Sequence, residues 1–589
     1  MLKPPFPPSK HMLPAMETED EERPLLLLQP PQVAGSEYTR DGSVDINKQP
    51  ALKHSTGRWR ACFLILGVEF CECLAFFAIS KNLVTYLTTV LHESKVAAAR
   101  NVSAWVGACF FTPVFGAFIA DTYWGRYWTI VVFFPVYVVA MLVLIAAASL
   151  PVFSAPSSHG DVHRAVVYLG LYLAVLASGG VKPCASTFGA DQFDINDPVE
   201  RAKKGSFFNW YYFLISTSSL LSGTVIVWLQ DNVGWAVGYA IPTMLMLCSF
   251  AAFLAGSRVY RFREMKASPL ASLSQVVVAT VRNWHLKLPD DSKLLYELPS
   301  ATDASHKIKH SNQFRFFDKA AIVSAPSDSE FTAPTSPWRL CTVTQVEELK
   351  MLLRTFPIWA SFVIFYAVSA QMASTLVEQG MFMDNRVGSF AIPPASLTIV
   401  SVLSILFWVP VYETVLVPLA RRLTGNDKGF SQSQRLGIGQ ALCMLSMVYA
   451  ALLEARRLAI AQANGLTDQS VPVPMSILWQ APVHLVHGAA EVFAGIGVTE
   501  FFYDHAPETM KSLCAALGQL ALASGSYFNS LVLGIVAVAT ARGRAPGWIP
   551  DNLNEGHLDY FFWMMATLSS LNLALFVHYS MRHRGKITR

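Results

Sequence analysis

Charge is what this sequence lacks. Only 15% of its 589 residues are Asp, Glu, Lys or Arg, against about 25% in a soluble domain, too few to wet a surface on every side. The shortage is uneven: 16 of the charged residues lie in 1–60 and 23 in 257–350, so the other 435 positions share 47. That excludes a soluble globular chain and points to a lipid-embedded one with polar tails and one polar central loop. A net charge of +4, with no dense basic stripe interleaved with aromatics, gives no case for nucleic acid. The nine cysteines form no CxxC pair of pairs, so neither a zinc site nor a disulfide framework is implied. No nucleophile-and-base constellation and no phosphate-cradling loop appears, so an enzyme is not expected. The amino-terminal tail lacks the basic, apolar, small-residue progression of a signal peptide.

What the sequence has is apolar length. A membrane helix needs about 20 mostly apolar residues, and twelve stretches qualify: 60–90, 98–120, 127–150, 165–188, 207–230, 236–256, 351–377, 395–419, 436–457, 475–500, 512–540 and 559–580. They fall six and six around a linker over 257–350 that has room for one interfacial helix. The expected fold is therefore an all-α membrane protein of the major facilitator superfamily. Its tail is 1–58, its bundles 59–256 and 351–580, and its closing tail 581–589. Lys and Arg concentrate in the tails, the linker and the other even-numbered loops, which puts both termini in the cytosol. The tail carries Glu21-Glu22-Arg23-Pro24-Leu25-Leu26, an acidic dileucine pattern of the kind sorting adaptors read. A vacuolar or a plasma membrane fits equally.

Ionisable groups within a span are costly and so are functional candidates by default. The deep ones are Glu69 and Glu72 in the first span, Lys182 in the fourth and Glu491 in the tenth. Glu69 and Glu72 are three apart and share a helix face, where they could hold one proton or cation. Lys182 follows Gly179-Gly180, small residues that let helices approach, and needs a carboxylate partner. His484 and His487 precede Glu491 on the same face. Three ligands on one helix make a poor metal site, so no metal is expected. Proton handling suits them better, with simple hydrogen-bonded packing equally open. Between spans two and three, Asp121 and Arg126 flank Gly125 and could latch helix ends together when the carrier faces outward.

Longer runs carry a family resemblance. They include DGSVD at 41–45, NLVTYLTT at 82–89, ADTYWGRYWTI at 120–130, KPCASTFGADQFD at 182–194 and FFNW at 207–210. LCTVTQVEELK at 340–350, EFFYD at 500–504 and GHLDYFFW at 556–563 continue them. In these the chain resembles plant members of the proton-coupled oligopeptide transporter (POT/PTR, nitrate/peptide transporter) family, its di- and tripeptide clade above all.

The resemblance implies a proton-coupled symporter of small peptides, with no cofactor beyond the transported protons. Its partners would be a small-molecule substrate and the lipid bilayer. It further implies that Glu69, Glu72 and Lys182 couple protons. Lys182, Glu491, Phe76, Phe77, Ser216, Gln371, Ser401 and His484 stand at substrate-cavity positions, with His487 as a proton relay. The family signature Glu-x-x-Glu-Arg reads Glu69-Phe70-Cys71-Glu72-Cys73 here, so its arginine is missing. Phe76 and Phe77 replace a tyrosine pair, Ser216 an asparagine, Ser401 an acid or amide, and His484 a tyrosine. Ser369 stands where peptide carriers show tyrosine. Two carboxylates facing one ammonium leave a negative charge that a proton on Glu69 or Glu72 would cancel, and His484 or His487 could supply positive charge transiently. A carrier of another solute, such as an anion, hormone or metabolite, and a non-transporting membrane sensor remain as alternatives.

Overall fold

The computed structural model describes residues 37–583 apart from 94, 150–159, 264–268, 290, 292–293, 298–307, 309, 324–335, 389, 426–428, 541–546 and 551. Among them twelve apolar crossings stand in two bundles of six, as expected. Span 1 is Arg58–Ser80. Span 2 runs from Lys95–Phe111 through Pro113–Ile119, and span 3 is Gly125–Ser149. They read as one continuous apolar stretch over Ala104–Ser149, but the backbone turns at Gly125, whose φ of 76° is one that glycine adopts without penalty. Spans 4 to 6 are Gly160–Ala190, Pro198–Leu221 extended by Val227–Asn232, and Trp235–Ala255.

In the second bundle, span 7 is Val343–Ser369, span 8 Thr398–Val411 continued by Val417–Thr424, and span 9 Gln432–Ala463. Span 10 is Ala481–Ala490 continued by Ile496–Asp504, span 11 Lys511–Thr540, and span 12 Leu558–His583. Span 5 meets span 8, and span 2 meets span 11, so these four helices form the seam between the bundles. The face bearing residues 37–57, the end of span 12 and the segment between the bundles is called the linker face below.

Two of the boundaries that differ from the sequence reading have a plain physical reason. Span 1 stops at Ser80 rather than near 90, and Leu83–Thr89 forms a separate short helix. Lys81 ends span 1 by giving its ammonium to the Ser219 carbonyl at 2.8 Å, while Asn82 bonds Asp231 across to span 5. Span 7 starts at Val343 rather than 351. Thr342 and Gln345 make a reciprocal cap there, and the charges of its first turns neutralise one another, Lys350 lying 2.8 Å from Glu347 and 2.6 Å from Asp318. The linker holds one helix, Pro269–Arg282.

Close packing explains the small residues of span 4: a Cβ added at Gly116 would overlap the backbone of Gly179 and Gly180. Residues 37–57 are not free tail either. They lie along the linker face, where Val44 pairs with Phe262 and Asp41 with Arg263 at 3.2 Å. The Lys53 ammonium on Asp197 holds that carboxyl below its ordinary range.

On the opposite face, fully buried Arg457 and Glu454 pair at 2.6 Å. Arg457 also reaches Asn554 Oδ1 at 2.5 Å and the Leu553 carbonyl at 3.0 Å, tying the loop before span 12 to span 9. Arg457→Ala strands Glu454 without its counter-charge, so it is expected to cost about 3–5 kcal/mol, seen as a lower unfolding temperature in detergent. The Glu454→Gln/Arg457→Met pair should recover most of that loss.

Candidate functional site

The deep charges gather into two clusters, one in each bundle. In the first, Glu72 Oε2 lies 3.2 Å from the Lys182 ammonium, the partner that a lysine in a span requires. The Phe76 ring stands 4.1 Å from that ammonium and stacks on Trp105 with centroids 5.6 Å apart, so an aromatic face shares the charge. Glu69 Oε1 accepts from the Tyr211 hydroxyl at 2.6 Å and from the Cys73 thiol at 3.6 Å. Glu69 Oε2 and Glu72 Oε1 have no donor although both side chains are buried. Glu69, Glu72 and Cys73 place ligand atoms within 4.8 Å of one another, a spacing open to a metal. The ammonium beside Glu72 already brings positive charge to that spot, however, and a proton asks for less room.

The second cluster centres on Glu491, first residue of a wide turn over Glu491–Gly495 where span 10 loosens. Such turns interrupt α-helices at functional sites more often than elsewhere. Its Oε2 accepts from the Tyr212 hydroxyl of span 5 at 2.9 Å, and its Oε1 from Ser369 of span 7 at 3.3 Å. His487 Nε2 lies 3.7 Å from Oε1, while its Nδ1 is buried without a partner. His484 Nδ1 faces the Ser401 hydroxyl at 2.9 Å. Ser216 is buried on span 5, one turn on from Tyr212.

Two expected cavity residues are engaged elsewhere. Gln371 is fully buried inside the second bundle, its amide spent on Asn529, Thr375 and the Ala367 carbonyl. Phe76 is packed between Trp105 and Lys182 rather than lining open space, whereas Phe77 is half-buried beside it. The sorting motif at Glu21, Leu25 and Leu26 lies outside the described residues.

Polar contacts between the bundles collect at the linker face. Arg126 bonds Asp191 and, at 2.9 Å, Ser512 of span 11, while its approach to Asp121 is 3.6 Å. Asp121 Oδ2 accepts the Leu513 amide at 3.0 Å. Asp191 also receives the Tyr503 hydroxyl of span 10 and lies 3.2 Å from Arg263. Lys204 pairs with Asp504, and Asn209 joins Glu413 at 2.6 Å and Arg435 at 2.7 Å. The expected pair, Asp121 and Arg126, thus acts across the seam more than within itself.

Tyr211, Tyr212, Asp191, Tyr503 and Asp504 were not singled out from sequence. Their signal was present, since Tyr211 and Tyr212 follow FFNW directly, Asp191 lies inside the run at 182–194, and Tyr503 and Asp504 close the run at 500–504, but a tyrosine in an apolar helix shows no partner until its neighbours are known.

Two six-helix bundles, each holding a buried cluster of ionisable groups and closed together on one face, define a secondary membrane carrier of the major facilitator type. The chain belongs to the POT family: the family described as "PTR2: POT family" matches residues 127–549. It is 48% identical to the Arabidopsis thaliana protein NRT1/PTR FAMILY 8.3 over 96% of this chain and 99% of that one. It is 46% identical to Arabidopsis thaliana NRT1/PTR FAMILY 8.1 over 93% and 98%. In fold it resembles the POT family transporter PepTSo, with a TM-score of 0.57 over 90% of this chain and 99% of that one at 20% identity. The protein is accordingly a multi-pass membrane transporter.

Asp191 is the acceptor on which Arg126, Arg263 and Tyr503 converge. Asp191→Ala should therefore change the closed-to-open ratio of the linker face about tenfold or more, the worth of a charge-assisted bond. Spin-label distances between the linker-face ends of spans 5 and 10 report it; an unchanged distribution contradicts this role.

Proposed function

We propose that the protein is a proton-driven symporter of di- and tripeptides, working by alternating access between the two bundles. The observation that carries this reading is the placing of a base, Lys182, and an acid, Glu491, in opposite bundles. A zwitterion needs both ends, and only a substrate spanning the seam engages both. The linker face is assigned to the cytosol from its Lys and Arg excess, so the closed linker face corresponds to a carrier facing away from the cytosol. The vacuolar and plasma membranes both suit it, and sorting adaptors reading Glu21, Leu25 and Leu26 would select between them.

The steps follow from charge. Two carboxyls and one ammonium leave one negative charge in excess, and a proton shared by Glu69 and Glu72 cancels it. Protonation of Glu72 weakens its hold on Lys182, whose ammonium then turns to the substrate carboxylate. Glu491, held by Tyr212 and Ser369, takes the substrate's ammonium. With both ends neutralised the bundles can close over the substrate, and the Arg126 and Asp191 contacts give way. Loss of the proton to the cytosol returns Glu72 to Lys182 and expels the carboxylate. His487, 3.7 Å from Glu491, is placed to relay protons to it, and His484 is assigned to the cavity through Ser401. No cofactor enters this cycle.

A second reading keeps the carrier and changes the cargo. Cys73, Phe76 and Phe77 give the first cluster one fewer positive charge and more apolar surface than the family signature implies, which favours a single-charged or more apolar solute. Uptake by the purified protein in liposomes with an imposed pH gradient separates the cases. A dipeptide should accumulate, and Lys182→Ala or Glu491→Ala should each lower that accumulation at least about a hundredfold, as loss of a buried charged partner costs several kcal/mol. Flux of another solute alone would select the second reading. No flux of any solute would select a sensor.

A further inference from the structure

We infer that Gly495 is a positioning residue for the substrate-binding carboxylate: it leaves a notch in span 10 in which the Glu491 side chain lies. The inference rests on Glu491 being the group that meets the substrate's ammonium. Helical side chains lean toward the amino-terminal end of their helix. That lean brings position 495 over Glu491. A Cβ built on Gly495, four residues further on, would overlap Glu491 Oε2, and the next atoms it meets are Glu491 Cδ at 3.4 Å and the Tyr212 hydroxyl at 3.6 Å. The backbone is adapted to this. The Ile496 amide donates to the Glu491 carbonyl, five residues back, and the widened turn leaves room for the carboxylate beside Gly495.

The notch explains how one carboxylate reaches two donors on different helices. From it, Oε2 reaches Tyr212 of the first bundle at 2.9 Å and Oε1 reaches Ser369 of span 7 at 3.3 Å. Those bonds hold the acid at the seam. The nearest atoms a methyl group at 495 meets are side-chain atoms, led by the movable end of Glu491, so the helix can accept it, and alanine is by itself the better helix residue. The expected defect is therefore one of position rather than of fold. The carboxylate is pushed out of the notch, away from Tyr212, and the ammonium end of the substrate loses its site.

The test measures dipeptide uptake by the full-length protein in liposomes under an imposed pH gradient. Gly495→Ala should raise KM at least about tenfold, as a displacement of about 1 Å does at a preorganised site, with kcat changed less than about twofold and unfolding temperature no lower than the parent's. In a Glu491→Gln background that also abolishes the charge, adding Gly495→Ala should cost nothing more, since no charged group is left to misplace. If Glu491→Gln itself leaves uptake unchanged, the peptide reading of Glu491 fails and this inference with it. If Glu491→Gln is impaired but Gly495→Ala matches the parent, or the two losses add, the notch alone is refuted. A loss of folded protein in Gly495→Ala that persists with Glu491→Asp, whose shorter chain leaves the notch empty, would also overturn it, because the clash would then lie elsewhere.

Discussion

A charge inside a bundle of lipid-embedded helices must be cancelled where it sits, because no water is there to do it. The pairing of Lys182 with Glu72 meets that demand at 3.2 Å, and the surrounding structure is arranged about it. Phe76 caps the ammonium, Tyr211 and Cys73 turn to Glu69, and two carboxylate oxygens remain without donors. A site that is neutral only when one proton is added is a site whose occupancy can be exchanged. In the proposed cycle Cys73, by withholding the fixed positive charge that the signature elsewhere provides, makes that exchange depend on the proton more heavily.

The second cluster obeys the same constraint by different means. Among the described residues Glu491 has no cation in ion-pair distance other than what a protonated His487 would offer at 3.7 Å; neutral hydroxyls of Tyr212 and Ser369 hold it instead. Because Tyr212 belongs to the opposite bundle, this acid takes part in the seam as well as in the pocket. The linker face adds a heavier set of bonds through Asp191, Lys204 and Asn209, and residues 37–57 reach the same set through Asp41 and Arg263. The two clusters and the closed face are thus joined along spans 4, 5 and 10 by direct side-chain contacts.

Much of this was legible in the sequence because the bilayer imposes a strong rule. Apolar runs located the crossings, and scarcity made Glu69, Glu72, Lys182 and Glu491 stand out. Where charges neutralise each other the rule misleads: Glu347 and Lys350 made the first turns of span 7 look like linker. Side-chain direction was the least accessible level. Gln371 carries a cavity-like amide yet faces Asn529, and Tyr212 looks like packing yet bonds Glu491. No spacing argument yields the seat of the Glu491 carboxylate, since it depends on a widened turn and on the missing side chain of Gly495.

The central claim is that one proton, shared by Glu69 and Glu72, is exchanged when a substrate carboxylate takes over Lys182. It is tested most directly by substrate-driven proton movement. Liposomes holding the protein and an internal pH dye, with the membrane potential clamped at zero, receive a dipeptide from outside. The interior should acidify in step with dipeptide entry, and Glu72→Gln should abolish the acidification. Dipeptide entry with no change of internal pH would contradict the account.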